Sequence, residues 1–172
     1  MWVLDTSSLI AMKRVPIADQ WAVFRVMETM VERGEVAVSH HVVKEVSEIA
    51  FPDVPGAWAS GIKSKICHPP EADYAVLTEV MTSAGNVVEP DAPGDPADPY
   101  VLALALQLKR LGQAVTVVTE DVVDRLPLKI SLRSGCELLG LTWCRCDEFL
   151  TTISASLAVR TVALGDDLPL GD

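Results

Sequence analysis

The sequence predicts an α/β fold, a three-layer α/β/α sandwich around a central, mainly parallel twisted sheet. Short β-branched apolar runs alternate along the chain with segments of helical period, the pattern of strands joined by helical crossovers. The run Ala114 to Val118 is almost wholly apolar, as a parallel strand covered on both faces must be. Four carboxylates, Asp5, Glu45, Asp98 and Asp121, adjoin apolar runs, and the rim at the strand ends is where open α/β sheets hold ligands.

Trp2 to Leu4 reads as the first strand, ending at Asp5, with the hydroxyls of Thr6, Ser7 and Ser8 suited to capping a following helix. From Ala18 to Glu32 the residues Trp21, Phe24, Val26, Met27, Met30 and Val31 recur at helical spacing, and Gly34 stands where a helix commonly stops. Val36 to Val38 is a second strand. Ser39 or His40 then caps a helix with Val42, Val43, Val46 and Ile49 on its apolar face and Glu45 one turn in.

Pro52 and Pro55 are read as breaking the chain. Ala57 to Lys65 and Ala72 to Ala84 are predicted as peripheral helices separated by Pro69-Pro70. Glu89 to Pro96, with three prolines and a glycine, is loop. Tyr100 to Leu111 is a helix with Pro99 in its first turn and Gly112 at its end, and Ala114 to Val118 is a central strand leading into Thr119-Glu120-Asp121. Ile130 to Leu139 is predicted helical, Leu141 to Cys144 a last strand and Asp147 to Leu157 a closing helix. Residues 1–157 form one domain on this reading, and 158–172, rich in glycine, proline and aspartate, are expected to be a flexible tail.

At 172 residues and 49% apolar composition, the chain can bury a core without needing a disulfide or metal staple. Charges or prolines interrupt each apolar run before the roughly 20 residues a membrane span requires, and no basic segment precedes the first apolar stretch as in an export signal. A cytoplasmic protein is therefore expected. Cys67, Cys136, Cys144 and Cys146 lack the paired spacing of a zinc knuckle, which leaves Cys136 and Cys144 as small core residues in a reducing compartment. The net charge of -10 excludes a protein that coats nucleic acid electrostatically. It does not exclude an enzyme acting on one, because divalent cations neutralise carboxylates and bring substrate phosphates with them. The basic spots Lys13-Arg14, Lys63 to Lys65, Lys109-Arg110 and Lys129 to Arg133 read as solvated surface.

A lone carboxylate at a strand end is ordinarily a cap or a solvated residue. Several gathered at one centre would repel one another and raise at least one pKa. A hard cation removes that conflict, and magnesium or manganese bound to oxygens suits phosphodiester hydrolysis without a covalent nucleophile.

In LDTSSLI around Asp5, VSHHVVKEV around Glu45, ADPYVLALA around Asp98 and VVTED around Asp121, the chain resembles the PIN-domain nucleases, including the VapC-like ribonuclease toxins of toxin-antitoxin pairs. The motif around Asp98 and the continuation Glu137 to Leu141 look most like a less characterised PIN branch, often encoded beside a regulator of the antitoxin kind. The resemblance implies a PIN-like fold, RNA hydrolysis with Mg2+ or Mn2+, a cognate antitoxin and a homodimer, whose face the Ala- and Leu-rich helix from Tyr100 could supply if core packing does not consume it. It makes Asp5, Glu45 and Asp98 metal ligands and Asp121 the fourth acidic position, within a Thr-x-Asp pattern that begins at Thr119. Glu120 is an alternative to Asp121, because this branch often carries glutamate there. Thr6 and Ser7 match hydroxyl positions after the first aspartate, with Ser7 suited to orienting water, and Asp95 is either a further acidic candidate or a loop residue.

His41, four positions before Glu45, is read either as half of a His-x-x-x-Glu metal pair or as a residue of the strand-to-helix turn at the site edge. The four tryptophans are core or interface residues rather than base-stacking platforms. An aspartyl phosphatase would need an aspartate at the position of Ser7, and a receiver module a lysine where Thr119-Glu120-Asp121 stands. The alternative of another class is a PIN-fold protein-interaction module with weak or lost catalysis.

Overall fold

The structure is a computed structural model that describes residues 1–62, 71–92 and 94–154. Lys63 to Lys65, Cys67, Pro69-Pro70 and the 158–172 tail, all singled out above, lie outside the described residues.

Among these, four three-residue strands form one sheet: β1 (Trp2–Leu4), β2 (Val36–Val38), β3 (Thr116–Val118) and β4 (Thr142–Cys144). Their order is β2-β1-β3-β4 and every pairing is parallel. Val3 and Leu4 are both fully buried, as are Val117 and Val118. Because successive strand residues point to opposite faces, both faces of the sheet are covered, which makes the fold an α/β/α sandwich.

The helices are α1 (Thr6–Ala11), α2 (Ile17–Glu32), α3 (His40–Ile49), α4 (Val54–Ile62), α5 (Tyr74–Ala84), α6 (Asp98–Arg110), α7 (Leu132–Leu138) and α8, residues 146–154. Two elements differ from the sequence reading in instructive ways. Helix α4 begins three residues earlier than predicted, because Pro55 falls in its first turn, where a missing N–H breaks no helical bond. Gly56 is required beside it: a Cβ there would lie 2.3 Å from the Phe51 nitrogen, closer than any side chain permits. The closing helix begins at residue 146 and the described part buries Cys146, Phe149 and Ile153, with the Phe149 ring edge-on to Trp2 at 5.3 Å.

Helix α6 is the core helix. Val101 to Ala105 are all buried to within 1%, a helix apolar on every side as only an internal one can be. Its apolar residues therefore belong to the core and do not form an exposed face for a second copy. Cys136 and Cys144 are buried in the core, as expected, and Cys146 is buried as well; all three are free thiols. Trp58 is buried and Trp2 is packed against the core, whereas Trp21 is 51% exposed on α2. Among the described residues no helix is long and apolar enough to cross a membrane.

Candidate metal centre

The strand register lines up the site. Leu4 stands opposite both Val38 and Val118, so Asp5, Ser39 and Thr119 follow in one row at the C-terminal rim. Asp5 ends β1 and is also the cap of α1: its Oδ1 accepts from the Ser8 backbone N–H at 2.7 Å. The cap is thus the aspartate itself, not the hydroxyls after it, because a carboxylate at the strand end reaches the free amides of the next turn. The hydroxyls of Ser7 (2.8 Å) and Thr119 (2.7 Å) both donate to Oδ2. Each accepts in return, Ser7 from the Glu120 N–H at 2.8 Å and Thr119 from the Asp121 N–H at 3.0 Å. Ser7 is therefore engaged in tying β1 to the turn after β3, rather than free to orient water.

Ser39 caps α3, accepting from the His41 N–H at 3.1 Å, and this sets Glu45 one turn in. The Thr6 hydroxyl donates to Glu45 Oε2, and the Ala97 N–H donates to Oε1 at 3.4 Å. Asp98 opens α6, with Pro99 in the first turn. Asp121 leaves β3 and accepts from the Leu132 N–H at 3.2 Å. Between Asp98 and Asp121 lies a group that sequence reasoning passed over as solvated surface: Lys129 Nζ is 3.0 Å from Asp98 Oδ2 and 3.1 Å from Asp121 Oδ2, with its side chain 12% exposed. Its flanks, Leu128 and Ile130, and its place eight residues beyond Asp121 are the only sequence signals, and neither is specific.

Asp5, Thr6, Ser7, Asp98, Asp121, Arg125 and Lys129 line one open cavity of about 470 Å³. Glu45 borders this group through Thr6 and through its charge on Asp98. Glu120 points elsewhere: it accepts from Arg14 at 3.0 Å, from the Cys146 N–H at 3.1 Å and from Arg145 at 3.4 Å. Of the two adjacent acids only Asp121 lines the cavity. Asp95 stands to one side, 3.2 Å from His41 Nε2 and 3.0 Å from the Tyr100 hydroxyl. His41 stacks on Tyr100 with ring centroids 3.3 Å apart, so it is a rim residue paired with Asp95.

Electrostatics reflect the crowding. Burial pushes the Asp5 carboxyl up to about 6, against its three hydrogen bonds and with a further rise from Asp98. Burial raises Asp98 too; Lys129 opposes this, and the charges of Asp121 and Glu45 add to it. Burial pulls the Lys129 ammonium down, but Asp98 and Asp121 outweigh it and hold its pKa above the usual value.

Among the described residues no three His, Cys, Asp or Glu side chains converge as a ready metal cage. The donors are nonetheless hard oxygens facing one cavity, and magnesium is ordinarily held by one or two carboxylates while keeping several waters. The residues present fit such an ion, which Asp98, Asp121 and Asp5 would hold.

An α/β/α sandwich with an acidic cavity at the strand-end rim is the class that fold and site define. The family described as Domain of unknown function (DUF4411) matches residues 2–157, and the chain belongs to it. Comparison with curated proteins gives no match.

Proposed function

We propose that the chain is a divalent-metal-dependent ribonuclease of the PIN type, acting in the cytoplasm as a toxin restrained by a cognate antitoxin. The observation that carries this reading is the meeting of Asp5, Asp98 and Asp121 in one cavity, from the end of β1, the start of α6 and the end of β3. Glu45 supports it from α3 through Thr6.

A bound Mg2+ or Mn2+ would supply positive charge for the phosphodiester oxygens and acidify the attacking water. The chain's own residues do the rest. Thr119, Ser7 and the Ser8 amide fix the Asp5 carboxylate and leave it no rotamer freedom. Thr6 fixes Glu45 in the same way. Arg125 and Lys129 are the cations on the cavity wall, and each is paired with carboxylates that a phosphate would have to compete with. A homodimer, if formed, would use surfaces other than α6, whose apolar residues are buried.

A second reading, an interaction module with weak or lost catalysis, draws support from Lys129 pairing with two of the acids and from the exposure of Val123, Leu126 and Leu128 near the cavity. RNA cleavage with magnesium or manganese by wild type and Asp5→Asn separates the two. Cleavage lost in the variant supports the nuclease; equal activity in both preparations points to a contaminant and removes that support.

A further inference from the structure

We propose that Lys129 is a tethered counterion that competes with a divalent metal for Asp98 and Asp121, so that loading the centre requires the ammonium to leave. The inference rests on the reading of these carboxylates as a metal centre, and adds to it a gate built from the chain itself.

Three features of the geometry support it. One nitrogen bridges carboxylates from two separate elements, at 3.0 Å and 3.1 Å, which is the task a bridging cation would perform. A metal bound to the same two oxygens would stand about 2.0–2.1 Å from each, inside the space the ammonium now fills, and the two positive charges would repel at that range. On those two oxygens the ammonium and a metal exclude one another.

The lysine is also mounted so that its side chain can leave without unfolding its support. Its backbone is fixed in a tight turn, the Arg125 N–H donating to the Lys129 carbonyl at 2.9 Å and the Lys129 N–H to the Arg125 carbonyl at 3.2 Å. Arg125 is tied to Glu89 at 2.8 Å, and the next residue, Ile130, donates to the Asn86 carbonyl at 2.8 Å. Only the flexible four-carbon stem has to rotate, into a cavity that is open to solvent.

The Lys129 ammonium offsets part of the negative charge at the centre. The crowding of Asp98 by Asp121 and Glu45 is relieved by a charge that the chain carries permanently, and an entering metal must displace it.

The test is calorimetric titration of the full chain with manganese, comparing wild type with Lys129→Gln. The variant should bind manganese more tightly by on the order of tenfold, equivalent to about 1.4 kcal/mol. Equal or weaker binding in the variant overturns the competition while leaving the metal centre intact. Failure of both proteins to bind at millimolar manganese removes the metal centre, and the competition with it. A second measurement needs no variant: amine-reactive labelling of wild type, read by peptide mass spectrometry. Lys129 should be protected without metal and labelled faster with saturating manganese, while Lys13, Lys44 and Lys109 are unchanged. Protection that persists with manganese bound overturns the proposal.

Discussion

The Thr119 hydroxyl donates to the Asp5 carboxylate at 2.7 Å across 114 positions of sequence, joining the ends of the two inner strands at the residues where they meet the cavity. The same oxygen accepts from the Asp121 N–H, so one fully buried hydroxyl positions two of the acids. Thr119→Val keeps the shape and removes both bonds. It should destabilise the fold by about 1–2 kcal/mol and weaken manganese binding, whereas Thr119→Ser should retain both; denaturant midpoints and calorimetry check this.

Asp5 carries a pH dependence of known sign. Its folded pKa of about 6 lies above the ordinary 3.8, so the folded chain holds this proton more tightly than the unfolded one. The resulting stability is fully present below about pH 3.8 and is lost as pH rises through about 6. The denaturant midpoint of wild type should therefore fall between about pH 4 and about pH 7, Asp5 contributing about 3 kcal/mol to the loss, and this fall should be smaller in Asp5→Asn, which has no carboxyl to titrate there. Manganese affinity of wild type should move the other way, rising with pH through about 6 and levelling above it.

Glu120 and Asp121 are adjacent and should behave differently. Glu120 joins Arg14, Arg145 and the start of α8, so Glu120→Gln should lower the thermal midpoint while leaving RNA cleavage within a few-fold. Asp121→Asn should lower cleavage on the order of a hundredfold with secondary structure by circular dichroism unchanged. The reverse assignment would move the fourth acid to Glu120.

Gly56 tests the packing behind the site, since α4 lies against α3, the helix that carries Glu45. A Cβ at this position meets the Phe51 backbone, which cannot yield as a side chain can. Gly56→Ala should cost roughly 2–4 kcal/mol, measured by urea denaturation.

The fold was legible because it rests on local signals. Short apolar runs mark the strands and period-3.6 apolar patterns the helices, and Pro99 and Gly112 bracket α6 closely. The ends of elements were less legible where a proline reads as a breaker, as at α4, whose first turn accommodates Pro55. Asp5, Asp98 and Asp121 could be found in sequence because each adjoins an apolar run. Glu120 could not be separated from Asp121, since its orientation is decided by Arg14 and Arg145, residues remote in the chain. Lys129 was invisible for the same reason: a lysine in an ordinary basic spot gives no sign that its ammonium is held between two carboxylates from other elements.

The measurement that bears most directly on the central claim is the anomalous diffraction of crystals soaked in manganese. A manganese peak is expected in the cavity with Asp98 and Asp121 as ligands, Asp5 beside it, and the Lys129 side chain displaced. A cavity without manganese at saturating concentration, with Lys129 still bridging Asp98 and Asp121, would contradict it.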